Sequence, residues 1–327
     1  MEFLFIIIGF VLLIKASDYF VDASIDIAKI FNISEIVIGA TIVSIGTTLP
    51  ETMVSATSAF KGYGDIAYGN ALGSIICNTS LISALTLIFT PCSVDKKKMK
   101  APVVFFFSSF AIYLFCVYYF NGFSRISGII LVSIFIVYVA YIICTNRNNN
   151  NSAVSDMIEI DSEEFKNDGS KNVVKSIIIL ILSAATIAYA SNLLVDNGTL
   201  IAHKFGVPES VIGITMLALG TSLPELSTAI TSMIKGHSNL SLGNIVGANF
   251  FNVILVSGLS IIISPFNLPT SKMINGINAS LLVDVPVTLF VMLILCIPTL
   301  IIGKTRRWQG IVLIITYILF IYYQFVI

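Results

Sequence analysis

Apolar and polar positions in this chain fall into long blocks instead of alternating with a strand period. Uninterrupted apolar runs lie near residues 2–20, 36–59, 66–90, 101–120, 126–144, 174–195, 210–233, 241–264, 279–302 and 309–327, each of a length that crosses a bilayer as a helix. The pattern predicts ten transmembrane helices, with one longer polar stretch at 145–173. The first run follows Glu2 and has neither a basic start nor a small-residue cleavage site, so a retained helix is expected there and not a signal peptide.

Two of these runs carry the same polar phrase, Gly46-Thr47-Thr48-Leu49-Pro50-Glu51 and Gly220-Thr221-Ser222-Leu223-Pro224-Glu225, with no Lys or Arg in the run. An ionisable residue at the centre of a span costs ~2.5–3.5 kcal/mol even on the lenient insertion scale, which marks Glu51 and Glu225 as functional candidates. Pro50 has no N–H for the Gly46 carbonyl and its ring crowds that turn, so the helix is expected to open there and free carbonyl oxygens. Carbonyls, hydroxyls and a carboxylate at one helix break are the hard oxygen ligands that Ca²⁺ and similar cations prefer. The alternative for the glutamates, a carboxyl kept neutral or paired with a basic side chain, would need a cation from a span end. For Thr47, Thr48, Thr221 and Ser222 the bland alternative is a hydroxyl returned to the preceding helical turn.

Sliding the chain on itself by 174 residues superimposes two halves without a gap. Val21-Asp22 meets Val195-Asp196, Glu35 meets Glu209, Val37-Ile38-Gly39 meets Val211-Ile212-Gly213, and Thr41 meets Thr215. Beyond the central phrase, Lys61-Gly62 meets Lys235-Gly236, Gly69-Asn70 meets Gly243-Asn244, Gly73 meets Gly247 and Asn78 meets Asn252. Five spans per half is an odd number, so the second half lies upside down relative to the first, the architecture of secondary transporters. The expected organisation is a first five-helix repeat at 1–144, a linker at 145–173 and a second, inverted repeat at 174–327, with the matched cores near 36–90 and 210–264. Glycines four apart in the Gly69–Gly73 and Gly243–Gly247 runs suit close helix packing. Asn78 and Asn252 follow Ser74 and Ala248 by one turn on the same helix face, where an amide either bonds across helices or faces a cation.

Basic residues set the orientation. With the N-terminus outside, inner segments carry 14 of the 18 Lys and Arg and outer ones four, so both termini are expected outside and the 145–173 linker in the cytoplasm. That linker is polar and acidic around Asp156–Glu164, has no EF-hand pattern, and reads as a solvated connection. Composition agrees with a multi-pass protein of the cell membrane: 56% of the 327 residues are hydrophobic and 11% charged. Five cysteines show no metal or disulfide spacing and are expected to be apolar fillers, and His203 and His237 sit at span ends with no zinc set around them.

The paired phrases, each followed by a Gly-Asn run and an Asn on the next helix, resemble the two alpha-repeats of the sodium/calcium exchanger (calcium/cation antiporter) family, above all its compact prokaryotic members. The resemblance covers all ten spans. It implies an all-α integral membrane fold of two inverted five-helix repeats, with ion sites between the second, third, seventh and eighth helices. It further implies that Glu51 and Glu225 are carboxylates shared by Ca²⁺ and Na⁺, that Thr47 and Thr221 give oxygens to Ca²⁺, and that Ser44 and Ala218 offer carbonyls to outlying Na⁺ sites. Thr48, Ser222 and Ser74 would complete the Na⁺ shells, and Asn78 matches the family's first-repeat Asn. The second repeat departs at Ala248, commonly Ser, and at Asn252, an Asp in similar prokaryotic exchangers. These changes leave the Ca²⁺ site whole and bear on the counter-ion.

The expected activity is antiport of Ca²⁺ for Na⁺ by alternating access, without enzyme chemistry, resident cofactor or nucleic-acid partner. A Ca²⁺ or other divalent-cation antiporter coupled to H⁺ or K⁺ is the alternative. An intramembrane enzyme would need a nucleophile or metal set that the sequence does not offer. A channel fits two mutually inverted carboxylates less well than a gated carrier does.

Overall fold

The computed structural model describes residues 2–31, 33–155, 165–204, 220–269, 273–274 and 276–326. Among them are ten helices: α1 (Glu2–Ile30), α2 (Glu35–Phe60), α3 (Gly64–Phe89), α4 (Lys96–Phe120), α5 (Arg125–Ser155), α6 (Phe165–Lys204), α7 (Leu223–Ile234), α8 (Ser238–Ile263), α9 (Ser280–Ile302) and α10 (Arg307–Val326). Eight have the length and hydropathy to cross a membrane within the described residues, α7 and α10 being the exceptions. The first part of the 210–233 run, Ala218 included, lies outside the described residues. The polar linker is helical at both ends, since α5 continues to Ser155 and α6 begins at Phe165.

Packing divides the helices into two bodies. One apolar cluster joins α1 to α6 through Leu13, Phe20, Ile187, Ala190 and Leu194 and touches α2 at Ile38 and Val43. The pair runs antiparallel: Gly9 abuts Leu194, and Lys204 Nζ meets Glu2 Oε1 at 2.9 Å. The other cluster collects α3, α4, α5, α8, α9 and α10 around Phe106, Phe110, Tyr138, Phe250, Phe251 and Met292. Short loops staple it, with Val94 N–H donating to the Gly303 carbonyl and Phe123 N–H to the Phe266 carbonyl, both at 2.9 Å.

The close packing expected of the glycines is found in the second repeat and not in the first, where a methyl on Gly69 or Gly73 would meet nothing within 4 Å. A methyl on Gly243 would strike the Ile36 carbonyl, and one on Gly247 would strike the Ser44 hydroxyl and the Ala40 backbone. Backbone contact between α8 and the first half of α2 therefore requires them. The proline prediction is corrected. The chain is α-helical from Ser44 to Phe60 with Pro50 inside, so the break expected at that point in the first repeat does not occur. The irregularity lies earlier, in a π-helical turn at Gly39–Val43, where the Tyr138 hydroxyl donates to the Ala40 carbonyl at 3.0 Å. In the second repeat the helix does restart at the phrase, with Ser222 leaving helical geometry just before Leu223.

Two further π-helical turns sit at matched positions, Asn78–Ile82 in α3 and Asn252–Ser257 in α8. Each begins on one of the asparagines that the repeat alignment pairs. Such wide turns interrupt the regular hydrogen-bond ladder and are frequent at functional sites.

Candidate ion site

At the middle of the bundle α2 and α7 bring their phrases together with the faces of α3 and α8. Glu51 and Glu225 are both 0% exposed. Their carboxyl groups lie within electrostatic reach of each other, one from each repeat. No Lys, Arg or His pairs with either glutamate among the described residues. The hydroxyl of Thr48, on the first repeat, lies 3.5 Å from Glu225 Oε1 of the second.

Around the carboxylates stands a group of buried polar atoms with no hydrogen-bond partner among the described residues. Both Glu51 oxygens, Glu225 Oε2, the hydroxyls of Ser74 and Ser222, and the whole side-chain amides of Asn78 and Asn252 belong to it. Buried polar groups in native proteins are nearly all hydrogen-bonded, and each exception calls for an explanation. Other unpartnered atoms lie elsewhere, as at Ser34, Tyr68 and Ser232, but this group comes from four helices and both repeats. The helices also explain the grouping: Asn70, Ser74 and Asn78 follow one another every four residues along α3, so they share a face.

Thr47 and Thr221 join the same constellation from opposite repeats. The Thr47 hydroxyl donates to Asn244 Oδ1 and the Thr221 hydroxyl to Asn70 Oδ1, each at 3.1 Å. Ser44 is buried, but its hydroxyl turns back to the Thr41 carbonyl at 3.1 Å, leaving its own carbonyl as the group of interest. Ala248 is fully buried on α8 and presents a methyl where Ser74 presents a hydroxyl. Of the predicted residues, Ala218 alone lies outside the described ones.

Asn70 and Asn244 belong to the site without having stood out in the sequence. They are visible inside the Gly-Asn runs, yet the glycines beside them supply a sufficient packing explanation. His237 and two of the aspartates also have roles that the sequence does not announce. His237 Nδ1 lies 2.8 Å from Glu35 Oε1, tying the α7–α8 turn to the start of α2. Lys235, at the end of α7, reaches α1, with Nζ 2.7 Å from Asp22 Oδ1 and 3.6 Å from Asp18 Oδ1. Of the cysteines, Cys77, Cys116 and Cys296 are buried as expected, whereas Cys92 is half-buried in a loop and Cys144 is exposed.

An inverted-repeat helical bundle with two uncompensated carboxylates at its centre defines an ion-carrying membrane transporter. Comparison with known proteins makes the class specific. The sodium/calcium exchanger protein family matches residues 1–144 and 175–326, and the chain belongs to that family. It is 30% identical to the sodium/calcium exchanger MaX1 of Methanosarcina acetivorans, over 98% of this chain and 97% of that one. An uncharacterized membrane protein of Methanocaldococcus jannaschii is 34% identical over 96% of this chain and 95% of its own length. Among solved structures, the sodium-calcium exchanger NCX_Mj soaked with Na⁺ and Sr²⁺ superimposes with a TM-score of 0.80 at 31% identity, covering 98% of this chain and 97% of that one.

Proposed function

We propose that the chain exchanges Na⁺ for Ca²⁺ across the membrane, with Glu51 and Glu225 as the shared carboxylates that hold either ion. One observation carries the residue assignment: two fully buried carboxylates, one from each repeat, with three of their four oxygens unpartnered among the described residues. Like charges at that depth repel unless a cation lies between them. Two negative charges match one Ca²⁺ or two Na⁺. Thr47 and Thr221 add oxygens to the Ca²⁺ shell, and Thr48, Ser222, Ser74 and the Ser44 and Ala218 carbonyls add oxygens for Na⁺. Asn78 and Asn252 place amide oxygens at the edge of the same space. The deciding experiment is uptake of radiolabelled Ca²⁺ into proteoliposomes. An outward Na⁺ gradient drives it on this reading, and drive by an outward H⁺ gradient alone would replace the coupling ion.

The second repeat lacks two groups that would favour Na⁺. With Asn252 in place of an acid, any third Na⁺ is held by dipoles alone, and Ala248 removes one of them. Ala248→Ser restores an oxygen at little cost in volume and is expected to lower the Na⁺ concentration that half-inhibits Ca²⁺ binding by about threefold to fivefold, the effect of one added hydroxyl contact. An unchanged or higher value removes position 248 from the Na⁺ shell.

Alternating access is supported by an ion pair that the repeat alignment doubles. Lys235 of the second repeat holds Asp22 of the first. The inverted counterpart is Lys61 with Asp196, at matching positions on the opposite side, and among the described residues this pair is not formed. We assign the closed latch to the cytoplasmic side, from the bias of basic residues, and both termini to the outside. Cysteines placed at Ser93 and at Tyr63, after replacement of Cys92 and Cys144, test the orientation: an impermeant reagent added to intact cells should label position 63 and spare position 93. The reverse result inverts the assignment.

A further inference from the structure

The two threonines at the carboxylate site are held by side chains from the opposite repeat. Thr47 Oγ1 donates to Asn244 Oδ1 and Thr221 Oγ1 donates to Asn70 Oδ1, both at 3.1 Å. The residue pairs are 197 and 151 positions apart and related by the repeat shift. A hydroxyl has one proton and two lone pairs, so a proton directed at an amide oxygen leaves the lone pairs to face elsewhere. For Thr47 two other acceptors lie nearby, the Ser44 carbonyl at 3.4 Å, a poorer partner, and the Glu225 carboxylate.

Which end of an amide faces its threonine depends on what the other end meets. Asn70 Nδ2 donates to the Glu51 carbonyl at 3.2 Å and to Ser55 Oγ at 2.8 Å. A carbonyl only accepts, so turning this amide round would set oxygen against oxygen. Asn70 is thereby locked, and it braces the backbone of Glu51 as well. Asn244 is fully buried too, but its Nδ2 has no partner among the described residues. One of the two acceptors that hold Asn70 has no counterpart there: the position that matches Ser55 is Ala229, also buried, which has no hydroxyl to offer.

We infer that Asn70 and Asn244 are positioning residues, which turn the Thr221 and Thr47 hydroxyl protons away from the ion and present their lone pairs to it. The Glu51 carbonyl fixes which way Asn70 faces and Ser55 adds a second, shorter hold, which the second repeat lacks. The two half-sites therefore differ in stiffness although their ligands match. This inference rests on the proposed role of Thr47 and Thr221 as Ca²⁺ ligands.

The experiment measures Ca²⁺ binding to the purified full chain in detergent by calorimetry, alongside the half-saturating Ca²⁺ concentration and the maximal rate of uptake in proteoliposomes. Ser55→Ala removes one of the two acceptors that hold Asn70 and weakens Ca²⁺ binding about fivefold, the effect of one buried hydrogen bond. Ala229→Ser supplies the missing acceptor and tightens binding by a similar factor. In both, the half-saturating concentration moves more than the maximal rate. A purely structural role would instead change yield and melting temperature and leave the Ca²⁺ affinity in place, and that result overturns the inference. Ser55→Ala only deletes an oxygen, so it decides the matter alone if Ala229→Ser does not fold. Thr47→Val and Thr221→Val separate the two readings. If these lose Ca²⁺ affinity while the Ser55 and Ala229 variants keep the parent value, only the positioning inference fails. If the Val variants themselves bind Ca²⁺ normally, the ligand assignment fails with it.

Discussion

Glu51→Gln and Glu225→Gln are each expected to lose Na⁺-driven Ca²⁺ uptake by at least about a hundredfold, and both to remain folded in the membrane. Breaking one member of a buried charge set costs about 3–5 kcal/mol, which is two decades or more in affinity. The same change relieves the folded protein. Both carboxylates are 0% exposed and neither has a basic partner among the described residues, so without an ion two charges here bear the cost of desolvation first and of mutual repulsion second. A neutral amide of the same shape removes that repulsion while filling the same volume. The Gln variants should therefore melt, in Ca²⁺-free detergent, at or above the temperature of the parent. Added Ca²⁺ should raise the parent's melting temperature and leave theirs unmoved. Uptake within about threefold of the parent in either variant would remove that glutamate from the shared site.

Much of this site is legible in the chain because inversion leaves a record in sequence. Residues that meet at the centre of an inverted repeat come from equivalent positions, so a self-alignment at one fixed shift picks out Glu51 with Glu225 and Asn78 with Asn252 from residue order alone. The polar atoms of these side chains are then buried without a partner among the described residues. What a self-alignment cannot give is contact between different positions of the two repeats. Thr47 with Asn244 and Lys235 with Asp22 are pairings of unlike positions, fixed only when the helices pack. Asn70 is masked by its neighbour: in the sequence Gly69 suggests packing for the whole run, although a methyl there would meet nothing within 4 Å.

Pro50 misleads for another reason. A proline removes one N–H and crowds one turn, which favours a break when nothing holds the helix on both sides. In α2 the helix is packed along its length against α3 and α8 and stays regular through Pro50, while a wide turn lies earlier, at Gly39–Val43. The tight approach of Gly243 and Gly247 to that turn places the deformation where side chains are smallest. Tertiary packing thus overrides the local preference of Pro50 for a break.

Cross-linking α1 to the end of α7 is expected to stop transport completely and reversibly. With Cys92 and Cys144 replaced, cysteines at Asp22 and Lys235 take the places of a pair whose polar atoms lie 2.7 Å apart. A short bis-methanethiosulfonate should join them, abolish Ca²⁺ uptake, and release it again on reduction. The native pair is weakened by its surroundings: the Asp22 side chain is 63% exposed, and such pairs contribute only ~0.2–1 kcal/mol. That is the right size for a latch that has to open on every cycle, since an exchanger needs two states of similar free energy. The element it holds is the α1–α6 pair, which has its own apolar cluster. Inversion gives the complementary expectation. Cysteines at Lys61 and Asp196 should cross-link slowly in the ion-free protein and several-fold faster during Na⁺–Ca²⁺ exchange, when the opposite state is visited. A Lys61–Asp196 pair that never cross-links under turnover, or an Asp22–Lys235 link that leaves uptake intact, would show that the two ion pairs do not alternate.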